Sequence, residues 1–365
     1  MAQKRVKFKK YYTMEKNAKI YLAGHTGLVG SAIVRKLKEK GYTNLVFRQY
    51  PPFNLIRQAD VEEFFQSEKP EYVFLAAARV GGILANNTYQ ADFIYENLAI
   101  AMNVIHSSYK AGVKKLLNLG SSCIYPKLAP QPLKEEHLLQ GYLEPTNEPY
   151  AIAKIAAIKL CRYFNEQYGT NFISLMPTNL YGPFDNFNLE TGHVLPSLMR
   201  KFILARLLTE KKYDRLLKDI KRFPIGFGVD ADKVKTDDIL KILWQLGITD
   251  KAVTLWGTGS PYREFLYVDD LADAAVYLME IYGYREIGEL VNVGTGTDST
   301  IATLASMVRK IVGFAGDIVW DSTKPDGTPR KLLDVSRLNG LKWTSKVPLE
   351  EGIHRTVEWY ASQVK

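Results

Sequence analysis

The segment Gly24-His25-Thr26-Gly27-Leu28-Val29-Gly30 constrains this chain more than any other. It follows an apolar run, Ile20 to Ala23, and precedes apolar positions at helical spacing, Ile33, Val34 and Leu37. A strand that turns through glycines into a helix leaves unpaired N–H groups and the positive end of the helix dipole at the turn, where a pyrophosphate can approach the backbone. The spacing is G-x-x-G-x-x-G and not the commoner G-x-G-x-x-G. Its place between strand and helix nonetheless favours dinucleotide binding over an ordinary tight turn. The second strand ends in Val46-Phe47-Arg48-Gln49-Tyr50, with no carboxylate for the ribose hydroxyls of NAD and with Arg48 able to neutralise a 2′-phosphate. NADP is the expected cofactor; on the plainer reading Arg48 is a solvated strand end.

Between Lys19 and Pro177, short runs rich in Val, Ile, Leu and Tyr alternate with segments of helical period, which predicts a Rossmann-type, doubly wound parallel sheet of the α/β class. The strands are expected at Ile20 to Ala23, Leu45 to Phe47, Tyr72 to Ala76, Lys115 to Leu119 and Phe172 to Met176. Asp60 with Glu63 three residues on reads as a capping box, and a long helix is expected from Asp92 to Ala111. After Asn179 the rhythm becomes irregular. Strands at Val253 to Trp256, Leu290 to Val293 and Ile318 to Trp320, with helices near 269–282, 300–312 and 349–363, predict a smaller, mixed α/β substrate domain over 179–365. The NADP-binding domain takes residues 18–178, with later segments returning to it. Residues 205–250 read as a charged helical insertion that starts a helix at Thr236-Asp237-Asp238 and stops it at Gly247. A solvated decoration is the simpler reading of it, a lid or an interface the other.

The net charge is +9, but Lys4, Arg5, Lys7, Lys9, Lys10, Lys16 and Lys19 face only Glu15 before Ile20, so most of the excess is local. Residues 1–17 read as a basic leader without a fold of its own, and Met14 makes an alternative start or an extension plausible. Residues 1–13 have no apolar core of a secretory signal. No apolar stretch suggests a membrane span. Cys123 and Cys161 are too few for a disulfide framework in 365 residues, and a reducing cytoplasm fits. No metal, membrane or nucleic-acid partner is expected.

Tyr150 and Lys154 stand one helical turn apart just after Pro149. An ammonium so placed is expected to stabilise the phenolate and lower the tyrosine pKa. The spacing alone says little, since Tyr12 and Lys16 in the leader share it. Position distinguishes them: the strand Lys115 to Leu119 runs into Gly120-Ser121-Ser122-Cys123, and residues beyond strand C-termini face the ligand crevice. Ser121 is thus placed to hydrogen-bond a substrate carbonyl beside Tyr150.

On these motifs the chain resembles the extended short-chain dehydrogenase/reductase family, and within it the branch that epimerises and reduces GDP-4-keto-6-deoxyhexoses. Further matching stretches are Leu75-Ala76-Ala77-Ala78-Arg79-Val80-Gly81-Gly82, Asn86-Asn87-Thr88, Pro177-Thr178-Asn179-Leu180-Tyr181-Gly182-Pro183, Gly192-His193-Val194-Leu195-Pro196, Trp256-Gly257-Thr258-Gly259, Arg263-Glu264-Phe265 and Lys324-Pro325-Asp326-Gly327. The resemblance implies that Ser121, Tyr150 and Lys154 form a reductase triad, with hydride reaching C4 from NADPH. It implies that Cys123 and His193 exchange protons at C3 and C5, hydrogens made acidic by the adjacent ketone. Alone, those two residues would read as a buried filler and a satisfied imidazole. It assigns the cofactor to the 24–30 loop, Arg48, Asn54, Leu55, Ala76, Leu119, Gly120, Tyr150, Lys154, Pro177, Asn179, Leu180 and His193. The GDP-sugar falls to Ser122, Cys123, Asn179, His193, Lys201, Trp256, Arg263 and Asp326. A homodimer through the helix bearing Tyr150 is implied as well.

The chain departs from the family pattern in Thr26 and Tyr50, where basic residues are common, in Lys201, where arginine is common, and in the insertion. Those departures keep open a GDP-4-keto-heptose reductase with the epimerase activity weak or absent. A non-catalytic nucleotide-sensing or RNA-binding protein is the alternative of another class, motivated by the leader.

Overall fold

In the computed structural model, which describes residues 14–324 and 326–364, the glycine segment joins β1 (Ile20–Ala23) to α1 (Leu28–Glu39) as its sequence requires. There follow β2 (Leu45–Val46), α2 (Gln58–Glu68), β3 (Tyr72–Leu75), α3 (Ile83–Thr88), α4 (Gln90–Lys110), β4 (Lys115–Leu119), α5 (Glu148–Tyr168) and β5 (Phe172–Pro177). One parallel sheet runs in the order Val291–Val293, β5, β4, β3, β1, β2. Every residue of β1, β3, β4 and β5 is buried, as a parallel sheet covered by helices on both faces demands. The expected doubly wound α/β architecture is therefore present. Strand order reverses between β1 and β3, which opens a crevice at their carboxyl ends.

The later chain holds α6 (Val194–Thr209), α7 (Tyr213–Arg222), α8 (Thr236–Gln245) and α9 (Val268–Ile281). The strand at 291–293 returns to the main sheet beside β5, in line with the expectation that later segments return to the first domain, and α9 packs its Leu271, Ala275 and Leu278 with Ile33 and Leu37 of α1. Three other expectations are corrected. Helix α2 starts at Gln58, so Asp60 lies inside its first turn and is not a cap. Met14 is buried against the first core, so residues 14–17 are not a free leader; residues 1–13, with Tyr12, lie outside the described residues. Nor is the 205–250 segment a solvated decoration. Leu216 and Ile220 of α7 and Ile239 and Leu243 of α8 are buried in a second core with Phe202, Val253, Leu304 and Tyr360. Gly247 ends this segment at φ +73°, a conformation that favours glycine. No helix among the described residues is long and apolar enough to cross a membrane.

Lys115 opens β4 yet is wholly buried, because its ammonium caps the carboxyl end of α9: Nζ donates to the carbonyls of Leu278 at 2.9 Å, Met279 at 2.7 Å and Tyr282. Burial lowers its pKa to about 7. The unfolded chain therefore binds the extra proton above that pH, and the stability this site contributes rises from pH 7 toward 10. Replacing Lys115 with Met leaves three buried carbonyls without their donor, at a cost of roughly 1–3 kcal/mol. Urea denaturation of both proteins should find the gap widening between pH 7 and 9; a gap constant with pH would contradict this account.

Candidate active site

Two bare backbones meet at the reversal point. A Cβ on Gly24, at φ +85°, would stand 2.9 Å from Ala77 Cα just beyond β3, and a Cβ on Gly30 would stand 1.9 Å from the Gly24 carbonyl oxygen. Only glycine fits at either place. Gly27 caps α1 without any side-chain hydrogen bond, so no side chain of the cap covers the first-turn N–H groups. A backbone cradle closed to any Cβ and left uncapped at a helix N-terminus suits a dinucleotide pyrophosphate. Leu28 and Val29 pack against the core behind it. His25 stacks on Phe47 with ring centroids 4.9 Å apart, fixing the loop to the end of β2. Arg48 lies at that same end, paired with Glu68 at 2.5 Å. Asn54 accepts the Ile56 N–H and shapes the next turn, and the Leu55 carbonyl accepts from Asn103. Ala76, Leu119, Gly120 and Pro177 line up at the ends of β3, β4 and β5.

Beyond β4 the chain bends into a single 3-10 turn, Ser122–Ile124, capped by Ser121, whose Oγ accepts the Cys123 N–H at 3.3 Å. Ser121 and Cys123 thus stand beside the first turns of α5, which carry Tyr150 and Lys154. Lys154 Nζ donates to the Leu119 carbonyl at 2.8 Å and lies 5.6 Å from the centre of the Tyr150 ring. Here the structure reverses an expectation. Burial, and then the nearby Cys123, hold the Tyr150 hydroxyl above its ordinary pKa, while the Ser121 hydroxyl pulls it down. Lys154 does not lower it: burial brings Lys154 itself down to about 8, so it has lost its charge before the phenol would ionise. The phenol is therefore a protonated donor at neutral pH.

His193 stands at the N-cap of α6. Desolvation and then the Lys331 ammonium lower its pKa. Lys331 Nζ also donates to Cys123 Sγ at 3.6 Å, as Asn147 Nδ2 does at 3.7 Å. Neither Asn147 nor Lys331 was identifiable from sequence. Lys331 lies 208 residues from Cys123 along the chain, and no motif joins them.

The expected substrate residues divide. Trp256 is exposed at the end of the strand Ala252–Trp256, beside Lys324. Asp326 accepts from the Thr258 N–H at 2.7 Å and hydroxyl at 2.8 Å, and its charge reaches Arg263. Pro325 lies outside the described residues. Asn179 directs its amide to the Glu264 carbonyl at 2.8 Å, and Leu180 packs into the first core. Two residues depart from expectation. Ser122 is buried beneath its turn. Lys201 donates to the carbonyls of Leu246 at 3.0 Å and Thr254 at 3.1 Å, closing the carboxyl end of the insertion, so its ammonium is not free for a diphosphate.

The family model described as NAD dependent epimerase/dehydratase family matches residues 20–216 and 231–294. A protein of Arabidopsis thaliana named putative GDP-L-fucose synthase 2 is 54% identical over 354 residues, 97% of this chain and 94% of its own. GDP-L-fucose synthase of Escherichia coli K12 is 47% identical over 348 residues, 94% of this chain and 96% of its own. Among solved structures, a GDP-D-glycero-L-gluco-heptose synthase from Campylobacter jejuni, in the presence of NADPH, superposes with a TM-score of 0.88 at 42% identity, covering 95% of this chain and 99% of that one.

Proposed function

The chain belongs to the NAD dependent epimerase/dehydratase family, and we propose that it reduces the C4 ketone of a GDP-4-keto-6-deoxyhexose after epimerising C3 and C5 at the same site, giving GDP-L-fucose. The observation that carries this reading is the convergence of Ser121, Cys123, Tyr150 and Lys154 at the end of β4, with Lys331 acting on both Cys123 and His193. The relatives named GDP-L-fucose synthase supply the sugar.

The 24–30 loop holds the cofactor pyrophosphate, Arg48 the 2′-phosphate and Lys154 the nicotinamide ribose. NADPH, when bound, supplies the hydride for the C4 carbon. Tyr150 gives its proton to the ketone oxygen, and Ser121 donates a hydrogen bond to that oxygen. In the earlier epimerisations Cys123 takes the proton α to the ketone, breaking the C–H bond and sending its electron pair toward O4. His193 returns a proton to the opposite face. Trp256, Arg263 and Asp326 form the nucleotide wall. Residues 18–178, with the strand at 291–293 and α9, make the NADP-binding body, and the second core makes the substrate-binding body. Two copies pair through α4 and α5, where Tyr95, Met102, Ile152 and Tyr163 are exposed. Two free cysteines accord with a reducing cytoplasm.

A second reading replaces the hexose by a heptose, favoured by the tethered Lys201 and by the Campylobacter jejuni relative. Incubation with NADPH and each GDP-4-keto sugar, with the products identified by NMR, decides between them: turnover of the heptose alone would overturn the hexose reading. Cys123→Ser should lower solvent deuterium entry at C3 and C5 at least tenfold while sparing reduction of a pre-epimerised ketone. Undiminished deuterium uptake would remove Cys123 as the base.

A further inference from the structure

A base for carbon acids must be ionised before it meets its substrate, and a cysteine at its ordinary pKa near 8.5 is mostly a neutral thiol at pH 7. The surroundings of Cys123 address that need. Its Sγ accepts from Asn147 Nδ2 at 3.7 Å and from Lys331 Nζ at 3.6 Å, so an amide and an ammonium converge on one sulfur. Donors aimed at an atom stabilise its anion, and a cation does so most. Beside the sulfur lies a narrow cleft lined by Cys123, Lys127, Glu144, Asn147, Arg330 and Lys331. The other cations of that wall face carboxylates: Arg330 pairs with Asp298 at 2.6 Å, and Lys127 stands 3.8 Å from Glu144. Tyr150 stays a protonated phenol, and Lys154, whose charge also reaches Cys123, gives its hydrogen bond to the Leu119 carbonyl. Among the described residues, Lys331 is the cation whose ammonium contacts Sγ.

Lys331 reaches this place by strand pairing. Arg330 and Lys331 run parallel to Tyr262 and Arg263, and the Leu332 N–H is fixed to the Gln131 side chain. The strand pairing that carries Arg263 therefore also delivers the Lys331 ammonium to Cys123.

We propose that Lys331 is a positioning residue that stabilises the thiolate of Cys123 by holding an ammonium against its sulfur, an inference that rests on Cys123 being the epimerisation base.

The test uses the ligand-free full chain and iodoacetamide as the probe. Cys161 is buried with its thiol pushed up to about 12, so alkylation near neutrality reads Cys123. Lys331→Met should slow alkylation at pH 7 about tenfold and shift the rise of the rate to higher pH, while Lys331→Arg restores most of it. The NADP affinity of each variant, measured by fluorescence quenching, serves as the folding control. Solvent deuterium exchange into the sugar should fall in parallel with alkylation. An alkylation profile in Lys331→Met equal to that of the parent overturns the proposal, and so does an equal loss in the Met and Arg variants. If the parent moves no deuterium into any GDP-4-keto sugar while Lys331→Met still slows alkylation, the proposed function fails and the ammonium–sulfur pairing stands.

Discussion

Tyr150→Phe should lower NADPH oxidation by the GDP-4-keto sugar by roughly 10²–10⁴-fold, the usual contribution of a positioned proton donor. The ring loses only its hydroxyl, so its edge contact with Phe93, at 6.4 Å between centroids, survives and the fold is not disturbed. The size of the effect follows from the environment of the hydroxyl. Burial holds the phenol in its protonated form, and the Ser121 hydroxyl beside it is the one neighbour that pulls the pKa down. A donor that stays protonated through neutral pH makes the loss in Tyr150→Phe nearly constant from pH 6 to 8. A base made acidic by Lys154 would instead give a loss that changes across that range. Steady-state kinetics at saturating NADPH check both points. A variant within threefold of the parent would show that some other group protonates O4.

The fold was legible in the sequence because β1, β3, β4 and β5 are short, fully buried and mostly apolar runs and each crossover helix carries its own period. The glycine loop was legible because two of its positions exclude any Cβ. What the sequence hid has a common cause: contacts made by residues far apart in the chain. Lys115 reads as the start of a strand, and only the approach of the end of α9, more than 160 residues later, explains its burial. Lys201 reads as a phosphate ligand until the carbonyls of Leu246 and Thr254 are seen around its ammonium. The lowered tyrosine pKa expected from the Tyr150 and Lys154 spacing failed for the same reason. A one-turn spacing sets the distance between two side chains but not the burial that takes the lysine's charge before the phenol would ionise. Charge density misled in the 205–250 segment. Its lysines and aspartates suggest a solvated surface, whereas Leu216, Ile220, Ile239 and Leu243 form a narrow stripe that the second core covers.

Asp219→Ala should destabilise the protein by about 3–5 kcal/mol, because it strands a charge that is wholly buried. Arg200 of α6 has no exposed surface, and its guanidinium meets the Asp219 carboxylate of α7 at 3.1 Å. Arg200 also donates to the carbonyls of Phe187 at 2.9 Å, Pro224 at 2.8 Å and Phe223, while the Tyr360 hydroxyl donates to the other oxygen of Asp219. One buried pair thus ties the insertion to the helix after His193 and to the C-terminal helix Leu349–Gln363. The thermal midpoint should fall by on the order of 10 °C, and trypsin should cut first at the lysines and arginines between 211 and 241. The consequence extends to the site. The Leu189 N–H is held by the Ile225 carbonyl, and the Phe227 N–H by the Glu190 carboxylate, so the insertion grips the loop that leads to His193. Loosening that grip should lower deuterium exchange at C3 and C5 more than it lowers reduction of a pre-epimerised ketone, since Ser121 follows β4 directly, Tyr150 and Lys154 stand on α5, and none of them lies on the loop. A midpoint within one degree of the parent would mean that the insertion is held by its apolar stripe alone, and an equal fall in both activities would mean that its grip does not reach His193.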